Sequence, residues 1–326
     1  MESTHVRLLR AEDAPQLVRC FERCYGDSYV ADAFYDEARI RALHAAGTLR
    51  SVVAVSEGEG IVGHMALTIR HPRSRTVDAG NTVVDPRYRG QHLAARLAGR
   101  LTQLCLEHGF VGFHHYPTTA HPVMQKLAVQ GGGIETGLML GYIPAGTDYR
   151  ELAGGASAIR LAAVIVYQPL AAAPAREVFV PERYRAAIER AYELARLERT
   201  RRPCSASLPA AATMLDSTFD ARRSLQRVNV ERAGADLREQ VEMALLRHDA
   251  DLVHVDLGLD DPAVGAAVEL LRGEGFFFCG LLPEYLEGDV LRLQRLRDPA
   301  PAVLASELAT DGGAELLAVI SKDRAR

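Results

Sequence analysis

The residues best suited to binding chemistry lie between Asn81 and Ala94. There a β-branched segment leads through a proline turn into the loop Arg89-Gly90-Gln91-His92-Leu93-Ala94 and then into an Ala/Leu/Arg-rich helix. A strand that leads through a glycine-containing loop to a helix N-terminus leaves several backbone N–H groups without partners, beside the positive end of the helix dipole. Such a site favours a phosphate group. The pattern is also compatible with an ordinary helix start in an unrelated α/β protein.

A second group of chemically capable side chains follows the next predicted strand. His115 and Tyr116 stand at its end, and His121 begins the segment after it. Histidine and tyrosine side chains can serve as general acids or bases. The alternative is a structural cluster whose polar atoms bind backbone groups at the strand end. Asp78 and Glu135 are further candidates for a base, although simple surface solvation would equally explain either carboxylate.

Hydrophobic periodicity and turn residues predict the elements that position these groups. The predicted succession is a strand, two helices, three strands, a helix, a strand, a helix and a strand. The predicted helices cover residues 11–24, 38–46, 93–107 and 121–129, and the predicted strands cover residues 49–55, 61–69, 77–84, 110–115 and 134–142.

The loop and this order of elements resemble the GNAT superfamily of N-acetyltransferases, whose acetyl-coenzyme A signature is Gln/Arg-x-x-Gly-x-Gly/Ala. Arg89 stands at the first signature position and Ala94 at the last, whereas His92 replaces the middle glycine. The resemblance covers about the first half of the chain, and it implies an α/β fold with a GNAT-like mixed central sheet and flanking helices. Residues 1–150 are therefore expected to form an acetyl-CoA-binding N-acetyltransferase domain.

The resemblance also implies roles for particular residues. Arg89, Gly90, Gln91, His92, Leu93 and Ala94 would bind the pyrophosphate of acetyl-CoA. Backbone groups of Val83 and Val84 would hold the thioester carbonyl, in a gap between their strand and the splayed strand 112–116. Many family members carry a tyrosine on the last helix, where this chain has Ala128. The resemblance therefore leaves His115, Tyr116 and His121 as the candidate catalytic residues, and it calls for no metal.

The second half of the chain repeats part of this pattern. Predicted strands and helices alternate from residue 224 to residue 296, in the same succession as in the first half. The segment Glu231–Leu237, where a phosphate loop would lie, has a single glycine and no Arg-Gly pair. Its acid, Asp236, would either repel a pyrophosphate or cap the helix. We interpret residues 151–326 as a second, degenerate GNAT-like α/β domain, with an unrelated α/β domain as the alternative. A linker is expected around residues 145–156.

Composition excludes several classes of protein. The net charge is −4, with 16 basic and 15 acidic residues in positions 1–150 and 22 and 27 in positions 151–326, so neither half is a basic nucleic-acid-binding module. No apolar run is long enough to span a bilayer and no signal peptide is predicted. Five cysteines without CxxC spacing fit reduced thiols, which favours a cytoplasmic location.

These observations predict an acetyl-CoA-dependent N-acetyltransferase that moves an acetyl group directly to a primary amine on a small molecule or a protein. The alternative is a catalytically weak or inactive acyl-CoA-binding regulatory module, because a glycine and a tyrosine of the family pattern are replaced. Parts of the first half also resemble the acetyltransferase segment that some bacterial proteins join to an anti-sigma-factor-type ATPase. That likeness suggests a bacterial setting, but fold analogy does not fix function.

Overall fold

A computed structural model describes residues 3–148, 157–297 and 308–325. The predicted linker lies partly outside the described residues. Within them the chain forms a mixed α/β structure, and most elements match their predicted bounds within about two residues. The helices are α1 Ala14–Tyr25, α2 Glu37–Ala45, α3 Leu93–Glu107, α4 Pro122–Gln130, α5 Arg185–Leu194, α6 Leu237–Leu245, α7 Val264–Gly273 and α8 Asp311–Arg324. The strands are β1 Thr4–Leu8, β2 Leu49–Ser56, β3 Gly60–Thr68, β4 Thr76–Val84, β5 Gly112–His115, β6 Ile134–Ile143, β7 Leu161–Pro169, β8 Arg176–Phe179, β9 Arg199–Arg202, β10 Met214–Asp220, β11 Leu225–Arg232, β12 Leu252–Gly258, β13 Phe277–Leu282 and β14 Val290–Leu296.

The first half forms a mixed sheet in the order β1-β2-β3-β4-β5-β7-β6. β1 to β4 pair antiparallel in succession, and β4 and β5 pair parallel through the crossover helix α3. α3 presents Leu93, Leu97, Leu101 and Leu104 to the sheet at helical spacing, and all four side chains are buried. α1 buries Leu17 and Phe21 against a separate apolar cluster of the same half. The sheet is therefore covered by helices, as expected for an α/β fold.

The strand β7 lies after the predicted domain boundary but belongs to this sheet. It pairs antiparallel with β5 on one side and with β6 on the other. The sequence analysis assigned no element to residues 161–169, because their continuous apolar run has no clear periodicity. The division at residue 150 stays a prediction, and the strand order shows that the first half's sheet needs residues from beyond it.

The second half repeats the strand order of the first. β10 and β11 pair antiparallel, β11 and β12 pair parallel through α6, and β14 lies between β12 and β13 with antiparallel pairing on both sides. This order, β10-β11-β12-β14-β13, corresponds strand for strand to β3-β4-β5-β7-β6. The short strands β8 and β9 pair parallel in a separate two-stranded sheet, and α5 lies between them in the sequence.

The two halves join through the edge strand of each half's sheet, β6 and β13, so that the described residues contain one 12-stranded sheet. β6 and β13 pair antiparallel at Gly137 and Gly280. A Cβ atom added at Gly280 would lie 2.6 Å from the Cα atom of Gly137, so glycine permits this close backbone contact. α8 packs over both joined strands, and it buries Ile320 in an apolar core to which both halves contribute.

Candidate active site

The centre of the first half opens into a V-shaped gap between β4 and β5. The two strands pair only from Thr76 to Asp78 on β4 and from Gly112 to His114 on β5. Beyond these residues β4 continues to Val84 in contact with β3, while β5 ends at His115. The sequence analysis expected β4 and β5 to splay apart from the family resemblance, and their pairing ends after Asp78 and His114, within the two strands named there.

A bulge in β4 lies beside the gap. The register between β3 and β4 shifts between His64 and Ala66, and Asn81 takes a left-handed φ of 54°. His64 is fully buried, and its Nδ1 lies 2.8 Å from the carbonyl oxygen of Asn81. Burial lowers the pKa of His64 to about 3, so its ring is neutral at pH 7. A bulge leaves backbone groups out of the ladder, and these groups can bind a ligand.

A buried carboxylate, Asp85, bonds the turn that leads into the candidate phosphate loop, residues 89–94. Asp85 accepts the backbone N–H of Arg87 at 3.1 Å and the Nε–H of Arg23 at 2.6 Å. Burial opposes ionisation of Asp85, but bonds from Arg87 and Arg23 outweigh it and lower its pKa to about 2. The sequence analysis did not single out Asp85. Its place between a strand and Pro86, at the start of a helical turn, is a capping signal that could have indicated it.

The loop itself has two left-handed residues before α3. Gly90 has a φ of 76° and His92, the N-cap residue of α3, has a φ of 56°. Left-handed backbone favours glycine, which explains why the family pattern has glycine at the position of His92. The His92 side chain is exposed, so the substitution does not fill the site with an imidazole.

A cavity of about 820 Å³ runs from this loop into the gap between β4 and β5. Among the predicted cofactor residues, Gln91 is not part of its lining, whereas the others are. Val83 is buried and Val84 half-buried, so their side chains belong to the core and only their backbone atoms could serve a ligand. The predicted cofactor residues in the lining are Val83, Val84, Arg89, Gly90, His92, Leu93 and Ala94.

The three predicted catalytic residues also line the cavity. Burial, with a smaller contribution from His114, lowers the pKa of His115 to about 4. Burial and the nearby cation Arg89 lower the pKa of His121. Both imidazoles are therefore neutral at pH 7 and could accept a proton. Ala128 also lines the cavity, so no side chain hydroxyl is present at that position of α4.

Tyr116 lies at the closed end of the gap, in contact with Asp78. Its hydroxyl donates to Asp78 Oδ1 at 2.6 Å, and Arg70 Nε donates to Asp78 Oδ2 at 2.6 Å. Burial and the neighbouring Asp78 charge raise the pKa of Tyr116, which keeps its proton at neutral pH. Asp78 is thus brought into the candidate site. Glu135 instead accepts hydrogen bonds from Thr310, which precedes α8.

Sequence reasoning missed two residues of this cavity, Tyr142 and Arg223. Arg223 comes from the turn between β10 and β11 in the second half, and its Cζ lies 4.9 Å from the centre of the Tyr142 ring. Burial acts to raise the pKa of Tyr142, but Arg223, Arg227 and Arg70 outweigh it and lower that pKa. No local signal indicates Arg223, because the sheet order alone brings it to the site.

The corresponding region of the second half has no such gap. β11 and β12 stay paired over six positions, from Leu225 with Leu252 to Val230 with Leu257. A Cβ atom added at Gly234 would lie 2.7 Å from the backbone nitrogen of Thr213, because the preceding loop packs on the start of α6. Asp236 makes no capping bond and instead accepts the Thr213 N–H at 2.7 Å. Protein atoms therefore occupy the place of a phosphate loop.

Comparison with known proteins assigns a family to the segment that contains this cavity's loop and strands. Residues 14–127 match the sequence model of the Acetyltransferase (GNAT) family. This segment is a GNAT acetyltransferase domain. The match supports an acyltransferase activity for the chain. The GNAT domain contains the loop, the β4 bulge and the splayed strands described above.

Solved structures similar to this chain include N-acetyltransferases. The ribosomal-protein-S18-alanine N-acetyltransferase from Escherichia coli is 16% identical, with 53% of this chain and 97% of that chain covered and a TM-score of 0.42. A phosphinothricin acetyltransferase from Sinorhizobium meliloti, in complex with AcCoA, is 20% identical, with 52% and 89% covered and a TM-score of 0.41. A Salmonella typhimurium protein described as a putative acetyltransferase with its cofactor acetyl-CoA is 15% identical, with 53% and 97% covered and a TM-score of 0.42. No functionally curated protein matches the sequence.

Two further findings concern the described residues as a whole. None of their helices combines the length and apolarity needed to cross a membrane. No group of three or more His, Cys, Asp or Glu side chains in the described ranges is arranged to hold a metal ion.

Proposed function

We propose that this protein is an acetyl-CoA-dependent N-acetyltransferase that transfers an acetyl group directly to a primary amine. The observation that carries the proposal is the coincidence of three features in one cavity. These are the Arg89–Ala94 loop at the start of α3, the bulge at Asn81, and the gap that opens beyond Asp78. The second half, residues 151–326, would be a degenerate GNAT-like domain. The cytoplasmic location and the bacterial setting stay predictions.

The residues present fit acetyl-CoA as the acyl donor. The loop amides and Arg89 would hold the pyrophosphate, and the first turn of α3 has N–H groups without a helical acceptor. The gap between β4 and β5 would take the extended pantetheine arm, with backbone groups near Val83 and Val84 available to the thioester carbonyl. When bound, acetyl-CoA supplies the activated acyl group.

The chemistry requires a neutral amine and two proton transfers. The amine nitrogen forms a bond to the acyl carbon as the carbon–sulfur bond breaks, the surplus amine proton goes to a base, and the thiolate receives a proton. Neutral His115 and His121 are the candidate proton acceptors in the cavity. Tyr116, which keeps its proton, is the candidate donor, and its O–H would have to leave Asp78 Oδ1 and turn to the sulfur in order to protonate the thiolate. Tyr116→Phe would distinguish the two roles of this residue, proton donor and structural group, because loss of a proton donor lowers turnover with little change in coenzyme A affinity.

A thiol-release assay over a panel of primary amines, run beside a calorimetric titration with coenzyme A, tests the proposal. We expect micromolar binding and amine-dependent release of the thiol. Binding without release for any amine would favour the regulatory acyl-CoA-binding module instead. Failure to bind coenzyme A would contradict both functions, because both depend on the Arg89–Ala94 loop.

A further inference from the structure

Arg223 forms part of the cavity wall, next to Tyr142. It belongs to the second half, and its side chain is 15% exposed. Its Nη1 donates to Asp220 Oδ2 at 2.7 Å and to the carbonyl oxygen of Val30 at 3.4 Å, and its guanidinium stacks on Tyr142. These contacts hold the guanidinium in one orientation against the cavity.

The hydrogen-bonding capacity of Arg223 is not used up by the protein. A guanidinium has five N–H donors and no acceptor. The buried Nε of Arg223 has no hydrogen-bond partner among the described residues. Buried donors in native proteins nearly always have a partner, since leaving one unpaired is costly. Nε is closed to a ligand because it is buried, and Nη1 already donates to Asp220 and Val30, so the Nη2 group is the donor that a ligand oxygen in the cavity could use.

Positive charge also exceeds negative charge at this end of the cavity. Asp220 lies 2.7 Å from Arg223 and 3.9 Å from Arg227, so two cations share one carboxylate there. The carboxylate of the cavity lining, Asp78, is already paired with Arg70 at 2.6 Å. A ligand with a negative group would restore the balance, whereas a polycationic ligand would be repelled.

We propose that the acetyl acceptor carries a carboxylate as well as its amine, and that Arg223 binds this carboxylate. The assignment rests on the proposed function and names its substrate class, an amino acid or a related amino-carboxylate. Tyr142 separates the two ends of such a molecule. Its ring centre lies 4.9 Å from Arg223 Cζ and 6.2 Å from the ring centre of Tyr116, so the amine would face Asp78 and Tyr116. Because Nη1 is bonded to Asp220 and Val30 and Nε is buried, the carboxylate would be bound by a charge-assisted hydrogen bond from Nη2, and this bond would fix the end of the acceptor that lies at Arg223.

The test uses a panel of amino acids as acetyl acceptors and compares each with two analogues that lack the carboxylate charge. For phenylalanine these are phenethylamine, which has no carboxyl group, and phenylalaninamide, in which a neutral amide replaces it. The amino group of phenethylamine has a higher pKa than that of phenylalanine, and the amino group of phenylalaninamide has a lower one. A difference in amine pKa alone therefore cannot make kcat/KM for phenylalanine exceed that of both analogues. We expect kcat/KM for the amino acid to exceed both by at least about tenfold, as for a charge-assisted bond. Arg223→Gln should lower kcat/KM for the amino acid by about ten- to a hundredfold and leave kcat/KM for the two analogues unchanged. Arg223→Lys, which keeps the charge, should retain part of it.

Arg222→Gln is the matched control, because Arg222 is the neighbouring, 45% exposed arginine of the same turn and binds Asp32 outside the cavity lining. It should leave the ranking unchanged. Equal turnover of acid and amide by the native protein, or an equal loss for both in folded Arg223→Gln, would overturn the carboxylate site.

A separate measurement distinguishes this inference from the proposed function. If no compound causes thiol release, transfer to a primary amine is wrong, and the carboxylate site is then judged by binding. The probe is N-acetylphenylalanine, titrated calorimetrically into the native protein saturated with coenzyme A. Binding that is lost in Arg223→Gln and kept in Arg222→Gln supports the site. Absence of binding to the native protein contradicts it.

Discussion

Arg89 provides the sharpest test of the phosphate loop. It lines the cavity at the N-terminal end of α3, and its charge contributes to the lowered pKa of His121. Arg89→Gln removes the charge but keeps a polar side chain of similar length. A hydrogen bond to a charged group contributes about 1.5–3 kcal/mol, so the dissociation constant for coenzyme A should rise by about 10- to 150-fold.

The same substitution should be visible at a second site. Because burial and the Arg89 cation together lower the pKa of His121, removal of the cation should shift that pKa upward towards its ordinary value. Calorimetry with coenzyme A measures the first effect, and an NMR titration of the His121 ring measures the second. Arg100→Gln is the matched control, since Arg100 lies on the same helix and pairs with Glu107 outside the cavity lining. It should change neither quantity.

Two results would refute this reasoning. An affinity for coenzyme A within twofold of the native value, in a folded Arg89→Gln protein, would mean that the loop does not bind the phosphates. An equal loss in Arg100→Gln would attribute the effect to the overall charge of the protein. The salt dependence of binding gives a further check, because fewer phosphate contacts should give a shallower slope.

Further predictions concern the loop, the histidines, the proton donor and the sheet. His92→Gly should raise the free energy of unfolding by about 1 kcal/mol, because a left-handed non-glycine residue is strained, whereas Gln91→Gly should not; denaturant unfolding measures both, and a loss in His92→Gly would contradict the strain. Since the pKa of His115 is about 4 in the folded protein and 6.5 ordinarily, the unfolded state binds more protons between these pH values. His115 should therefore contribute about 3 kcal/mol to the loss of stability as the pH falls from 6.5 to 4, and His115→Leu should lose that part of the slope in urea titrations at several pH values. Among Tyr116→Phe, His115→Ala and His121→Ala, at least one should lower turnover on the order of a hundredfold with little change in coenzyme A affinity, and a loss below tenfold in all three would leave these residues structural roles. A chain ending at residue 150 lacks β7, so β5 and β6 lose their shared partner; we expect no cooperative thermal transition, and a folded fragment that binds coenzyme A would contradict this.

The sequence predicted those parts of the fold in which local signals agree. α3 has the predicted bounds 93–107, because a clear loop precedes it and His108-Gly109 follows it. β7 was not predicted, because a fully buried central strand is apolar on both faces and shows no alternation. The succession of strands and helices from residue 224 to residue 296 was predicted as a repeat, whereas β10 was not predicted. The persistent pairing of β11 with β12 was not, since pairing register depends on long-range contacts.

The candidate site divides in the same way. The candidate phosphate loop is contiguous in sequence, so Arg89 to Ala94 could be proposed from the residue pattern alone. The bulge at Asn81 depends on its contact with His64, 17 positions away, and the contact of Arg223 with Val30 joins residues 193 positions apart. No local pattern encodes such contacts. The roles of His115, Tyr116 and His121 stay predictions that mutagenesis must test.

The joining of the two halves at Gly137 and Gly280 has a consequence for how the cavity is assembled. Many proteins complete a binding site with a residue from a second subunit, and such a site is lost on dilution. Here a residue that follows the GNAT domain by almost a hundred positions, Arg223, reaches the cavity within one chain, because β6 and β13 pair in cis. The contribution of Arg223 to the cavity is therefore independent of protein concentration, and the proposed acceptor end would stay complete in a single molecule.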